Sequence, residues 1–540
     1  MPFVINGMEV GMSHWATSPL NRNQITLFCP TLDDSLAADH PVRLFDDVLR
    51  GTSWQEWESM YVRVAGQPPI HPRVMAGAIL YGLTLGIRSS RRVEDACMNR
   101  LDFIWLMQGR QVDHATICKF RTSFGPQLKD LFRRIGRIAI ELGLVTLNLV
   151  TLDGTDLRAD NSRYRTARRP SLERKLAALD AQIEAAMQQA DQQDQAEDAL
   201  LGEASAARLP RGLGDLQQRQ GKLKEAMAKL EQLERERGTR KDLSPKGPAV
   251  PLTDSDSRVL PAKTGGYAPA YTSVLAVDAD SGMILDSQVL GGNDEASTVL
   301  PAMENIEREL GQKPAALAAD SGFNSGPNLA GLEQMQVEAL MPARQVFAEN
   351  PALRSDPWQS VAPEHHDKLP VDPRNKILDK AAFVYDPAKD HYFCPMGRAL
   401  NYRQDNAYNR GGTKGAYRIY QCADCSGCPL AGKCLPKNAT SRRVCRDEFE
   451  SLREQMARRL GSDQGKARYK RRSHAAETPF GVFKTVMSFR RFLHRGLAKV
   501  RLEQRWIDLA YNLMKLVRFK TKMIALKTTL LSPVAATAPP

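Results

Sequence analysis

Two short stretches decide the fold: Asn148-Leu-Val-Thr-Leu-Asp153-Gly-Thr155 and Ala315-Ala-Leu-Ala-Ala-Asp320-Ser-Gly322. Each is a brief apolar or β-branched run that stops at an aspartate followed within two residues by glycine. That is the pattern of a buried strand ending at a turn. If the two strands are neighbours, Asp153 and Asp320 come together. Two ionised carboxylates at close range repel unless a cation neutralises them, and hard oxygen ligands select Mg2+ or Mn2+. A pair of such ions activates a water or hydroxyl and stabilises the leaving oxygen in phosphodiester chemistry. The aspartates alone carry little specificity, because the chain has 62 acidic residues and many follow apolar runs.

Working outward, residues 271–278 and 283–290 are β-like runs joined by Ala279-Asp280-Ser281-Gly282, a hairpin turn. Helical patterns follow over about 296–310 and 327–335, and a last short strand over 337–341. The order strand, insert, strand, strand, helix, strand, helix, strand predicts an α/β protein with a ribonuclease-H-like core, a mixed sheet with helices on both faces. The insert is distinct in character. Leu172, Leu176, Leu179 and Ile183 repeat at 4-3-4 spacing and Leu216, Leu223 and Leu230 at seven, around a loop with Gly202, Pro210, Gly212 and Gly214. Two antiparallel helices with a coiled-coil seam are expected there, either a solvated insertion or an arm touching DNA or a second subunit. A Pro- and Gly-containing linker over 244–266 returns to the core.

The first 146 residues read as helical. A helix opens after Pro72, a second follows Ser89-Ser90 as far as Asn99, and Asp113 is placed to cap a third over 114–124. The third is expected to expose Lys119 and Arg121, as in a helix-turn-helix DNA reader, although plain helical packing explains the same pattern.

Charge narrows the partner class. The net charge is +13, and residues 441–520 hold 21 Lys plus Arg against 8 Asp plus Glu, leaving the rest of the chain balanced. A basic excess confined to 80 residues is the footprint of a polyanion-binding surface, nucleic acid above all. The third acid lies inside it. In Tyr469-Lys-Arg-Arg472-Ser-His-Ala-Ala-Glu477-Thr-Pro-Phe-Gly-Val-Phe-Lys484, Glu477 is the only acid between Asp463 and Glu503. Clustered cations suit phosphates, and a lone carboxylate among them suits a metal.

Six of nine cysteines fall between Cys394 and Cys445. Cys422-x2-Cys425-x2-Cys428-x5-Cys434, with a knuckle-like Cys394-Pro-Met-Gly upstream, is a metal-binding pattern. Five thiols compete for the four positions of a structural Zn2+ site, with Cys445 a weaker sixth. An iron–sulfur cluster is the rival, disfavoured by the final spacing and by the lack of a proline after Cys434. No stretch of 18 apolar residues, no leader-like start and no G-x-x-x-x-G-K-[ST] loop is present. Neither a membrane span, an export signal nor a nucleotide cofactor is therefore expected, and reduced thiols fit a cytoplasm.

Jointly and in order, these motifs resemble the DDE transposases of bacterial insertion sequences, the 1182-type branch. His71-Pro72-Arg73, Ser89-Ser90-Arg91-Arg92 and Asp113-His114-Ala115-Thr116 with Lys119-Phe120-Arg121 match the N-terminal transposase region. Asp153-Gly154-Thr155 matches the first catalytic acid, Asp320 in Ala319-Asp320-Ser321-Gly322-Phe323 the second, and Tyr469, Arg472, Glu477 and Lys484 the signature carrying the third. One departure is that four residues, not the usual three, separate Arg472 from Glu477. The resemblance implies that Asp153, Asp320 and Glu477 hold two Mg2+ (or Mn2+) ions, that Tyr469, Arg472 and Lys484 grip DNA beside the cut, and that 3′-hydroxyl ends are transferred to target DNA. The partners implied are the terminal repeats of the element and target DNA, with a homodimer joining two ends. The alternatives are a metal-dependent nuclease that does not join, and a silent DNA-binding protein. Asp156, Asp160 and Asp278 are nearby acids ranked lower. The expected organisation is an N-terminal helical DNA-binding domain (1–146), the first part of the core (147–169), the helical hairpin (170–243), the second part of the core (244–345), a cysteine-rich, zinc-ribbon-like insertion (346–450), a basic helical part (451–520) and a tail (521–540).

Overall fold

The computed structural model describes residues 31–61, 68–201, 212–238, 247–262, 265–292, 294–342, 350–410 and 413–531. Cys29, Gly202 and Pro210 lie outside the described residues. The N-terminal part is helical: α1 (Pro41–Arg50), α2 (Pro72–Thr84), α3 (Ser90–Asn99), α4 (Leu101–Leu106), α5 (His114–Ser123) and α6 (Gly125–Glu141). The starts follow local chemistry. Pro41 and Pro72 stand where a missing N–H costs nothing. The Asp113 carboxylate caps α5 by accepting from Ala115 N (2.8 Å) and Thr116 N (2.9 Å).

A mixed sheet forms the centre. Its strands are β1 (Val150–Arg158), β4 (Arg258–Pro261), β5 (Tyr267–Asp278), β6 (Ile284–Leu290), β7 (Ala316–Ala319) and β8 (Glu338–Leu340). The order is β4-β5-β1-β7-β8, with β6 also on the outer edge of β5. β1 runs antiparallel to β5 and parallel to β7, which in turn is parallel to β8. The α/β class expected from the sequence is therefore observed. Helices cover both faces. Val150, Leu152, Leu317 and Ala319 join the main core with α9 (Val299–Leu310), whereas Leu149, Ala316, Ala318 and Leu340 pack against Leu460 and Tyr469. Those two residues lie on α11 (Glu450–Gly461) and α12 (Asp463–Thr485). α10 (Gly326–Gln334) connects β7 to β8.

The last helix, α13 (Leu497–Leu531), ties the N-terminal helices to the sheet. Ile507, Leu509, Ala510, Tyr511 and Leu513 are all buried, as in a helix enclosed on most sides. Trp506 meets the rings of Trp57 and Phe120. The Asn512 side chain accepts from Ile284 N (2.9 Å) and donates to Ile284 O (2.7 Å), fastening α13 to β6. No helix among the described residues is long and apolar enough to cross a membrane.

Several expectations need correction. β1 does not stop at Leu152; it continues through Asp153 to Arg158, because β5 pairs with it over that whole length. The expected linker contains two strands, β3 (Val250–Pro251), paired with β2 (Thr166–Ala167), and β4. α13 continues past Lys520 to Leu531, where a tail was expected. The insert is a pair of helices, α7 (Arg169–Leu201) and α8 (Leu213–Arg237), whose root packs Leu172, Ala226 and Leu230 on Ala167 and Val250. Between β8 and α11 lies a second, antiparallel sheet, in the order β13-β12-β11-β10-β9: β9 (Val384–Asp386), β10 (His391–Phe393), β11 (Ala399–Arg410), β12 (Thr413–Cys422) and β13 (Arg443–Asp447).

Candidate active site

Register brings the two aspartates together. Leu152 of β1 lies opposite Ala319 of β7 in parallel pairing, so the next residue on each chain is an aspartate. Neighbouring strands are about 4.8 Å apart. α12 crosses β1, β5 and β7 and supplies the cations. Arg472 Nη2 stands 3.3 Å from Asp153 Oδ1 and 3.9 Å from Asp320 Oδ2. Lys484 Nζ donates to Thr155 Oγ1 at 2.9 Å. Tyr469 packs on the sheet beside Arg472, and burial raises its phenol above the usual range, against the pull of that guanidinium. Glu477 is exposed on the same helix, two turns before Lys484. The position where the signature spacing departs, Arg472, is thus the one that touches both aspartates.

The electrostatics are those of crowded carboxylates. Burial raises Asp153 above the ordinary aspartate range; Arg472 opposes this, while Asp320 and Glu477 reinforce it. A fourth acid, absent from the sequence reading, joins them. Glu295 begins the 3-10 turn Glu295–Thr298 ahead of α9. Burial, then the charges of Asp156, Asp320 and Asp153, push its carboxyl up to about 7. Gly154 makes this approach possible, since a Cβ there would stand 2.6 Å from Glu295 Cδ. Asp156 is held by Thr272 Oγ1 at 2.8 Å and adds to this field. Asp278 instead caps the hairpin turn by accepting from Ser281 N (2.8 Å), and Asp160 pairs with Arg495.

All the donors are hard oxygens with one guanidinium opposing them, a set that fits a divalent cation. No three of the carboxylates form a closed coordination shell among the described residues. Arg472 Nε is buried there without a hydrogen-bond partner.

The N-terminal expectation divides. Lys119 is exposed on α5. Arg121 is not: it is 7% exposed, donates through Nη1 to Arg88 O, and its carbonyl accepts from Trp506 Nε1 at 3.0 Å. Ile117, Phe120 and Arg121 share the buried face of α5, with Phe124 buried just beyond its end, so Arg121 is a packing cation and not the exposed one expected from the sequence.

Cys394, Cys422, Cys425, Cys428 and Cys434 all line one small cavity beside the antiparallel sheet, whereas Cys445 is exposed on β13. The knuckle is formed: Gly397 N donates to Cys394 O (2.8 Å) and Cys394 N to Arg398 O (2.9 Å), while Met396 and Arg398 amides face the thiol. Burial pushes Cys434 up to about 12, with Arg442 opposing. As with the carboxylates, no closed metal shell is formed among the described residues, but five convergent thiols with amide donors at the knuckle are a donor set suited to Zn2+.

Two comparisons bear on this geometry. A family model described as "Transposase DDE domain" matches residues 393–517, which include the knuckle, Tyr469, Arg472, Glu477 and Lys484 but neither Asp153 nor Asp320. A second, described as "Transposase domain (DUF772)", matches residues 30–123, the helices through α5. No curated protein matches the chain.

Proposed function

The chain carries two transposase domains, one of the DDE kind, and from that premise we propose that it cleaves the ends of a bacterial insertion sequence and joins them to target DNA. The observation that carries this reading is the β1–β7 register, which sets Asp153 beside Asp320 while Arg472, from the helix bearing Glu477, reaches both. On this reading the mixed sheet with its flanking helices is a ribonuclease-H-like core, and Asp153, Asp320 and Glu477 are the ligands of two Mg2+ ions. Ions bound there supply an activated water and charge stabilisation of the leaving oxygen.

The chain's own residues do the rest. Arg472 offsets the carboxylate repulsion and offers donors to a non-bridging phosphate oxygen. Lys484, steadied by Thr155, supplies a second cation one strand residue beyond Gly154. Tyr469 anchors α12 so that both cations keep their place. In the first step a water oxygen bonds to phosphorus, the bond to O3′ breaks, and the O3′ takes up a proton. In the second, that hydroxyl gives up its proton as its oxygen bonds to a target phosphorus, and the departing target O3′ takes up a proton. Joining two ends calls for two copies of the chain on DNA. The thiol cluster, loaded with Zn2+, contributes folding free energy to the second sheet.

The test is Glu477→Gln on a duplex carrying the element's end. Mg2+-dependent cleavage is lost by several orders of magnitude while end binding is retained, since the side chain is exposed. Retained cleavage, or parallel loss of binding, contradicts the assignment.

A further inference from the structure

Glu295 lies flat against β1. A Cβ on Gly154 would stand 2.6 Å from both its Cδ and its Oε1, so the carboxylate comes within the space that only glycine leaves open, one residue from Asp153. Each neighbouring acid has a donor or cation: Arg472 for Asp153, Thr272 for Asp156, Gly322 N at 2.7 Å for Asp320. Glu295 has neither a hydrogen-bond donor nor an ion-pair partner at its carboxylate among the described residues; its environment is burial and three other carboxylates. A half-buried carboxylate among like charges is neutralised either by taking up a proton or by something positive bound beside it. The 3-10 turn and α9 fix its backbone, with Thr298 and Val299 buried behind it, so the side chain is delivered to this point by the fold.

Resting on the transposase reading of the site, we propose that Glu295 is a further oxygen ligand of the same divalent-cation site, brought in from the α9 turn as Glu477 is from α12. Four carboxylates on four elements (β1, the α9 turn, the end of β7 and α12) then converge on one cation site, with Gly154 providing the passage. The signal available in the sequence was small: the acidic pair Asp294-Glu295 ahead of a helix, and a glycine directly after Asp153.

The experiment is a Mn2+ titration of the full-length protein without DNA, followed by the loss of the free-Mn2+ electron paramagnetic resonance signal, with metal-free thermal unfolding alongside. Asp153→Asn and Glu295→Gln are each expected to weaken Mn2+ binding by about tenfold or more, since even outer partners of metal ligands matter on that scale. Without metal, Glu295→Gln is expected to unfold at or above the native temperature, because a repelling charge has gone. Unchanged Mn2+ affinity in Glu295→Gln, with Asp153→Asn weakened, overturns the Glu295 assignment and leaves the site standing. A lowered metal-free unfolding temperature in Glu295→Gln makes it a structural residue and overturns the assignment too. No Mn2+ binding by the native protein, or undiminished binding by Asp153→Asn, overturns the metal reading itself and this proposal with it.

Discussion

Glu503 is the perturbation that most sharply separates structural cations from DNA-binding ones. It is 8% exposed near the start of α13. Its carboxylate accepts from Arg88 Nη2 at 2.7 Å, from Leu493 N at 2.9 Å, from His494 N at 3.0 Å and is 3.0 Å from His494 Nδ1. Arg88 in turn donates to Ser488 O and Arg491 O, and Arg121 donates to Arg88 O. Glu503→Gln leaves two buried guanidinium groups without their counter-charge. Removing one partner of a buried pair costs about 3–5 kcal/mol, and at about 2–4 °C per kcal/mol for a domain of 150–250 residues the first unfolding transition falls by roughly 6–20 °C. Calorimetry or near-ultraviolet circular dichroism measures it directly. The pH dependence has a defined sign. His494 and Arg88 hold Glu503 below the ordinary glutamate range despite its burial. Its stabilisation is therefore complete above the unfolded-state pKa and is lost as the pH falls through the lower folded-state value. The native protein should lose this increment in acid, whereas the variant should show no such loss. A transition that moves by less than about 1 kcal/mol, the level of an exposed pair, refutes the buried network and reopens Arg121 as a DNA contact.

Lys119→Ala should leave the unfolding temperature unchanged, the side chain being exposed, while reducing the salt slope of DNA binding by about one unit; an unchanged slope removes α5 from the interface. Zinc chelation should lower the unfolding temperature and release about one Zn2+ per chain, as expected of a structural thiolate site. No bound zinc and an unchanged melting curve would refute that site.

Local chemistry in the sequence foretold local structure well. Pro72 and Asp113 mark helix starts that α2 and α5 keep, and the apolar runs before Asp153 and Asp320 are the neighbouring strands β1 and β7. What was hidden depends on pairing at a distance. β1 continues through polar Thr155 and Asp156 because β5 supplies its ladder, which no pattern within β1 encodes. β2 and β3 are two residues each and exist only as partners. Arg121 looks like a surface cation by type, yet it stands four residues after Ile117 and three before Phe124, on the face that α13 covers. Glu295 is 142 positions from Asp153 in the chain; only the α9 turn lying over Gly154 brings it near.

The most direct measurement is Mg2+-dependent processing of the element's own DNA ends by the native protein and by Asp153→Ala. Cleavage and joining by the native protein, both absent from the variant and both dependent on Mg2+, is the predicted result. Cleavage without joining would contradict the transposase in favour of a nuclease, and tight end binding with no cleavage by either protein would contradict catalysis at Asp153 altogether.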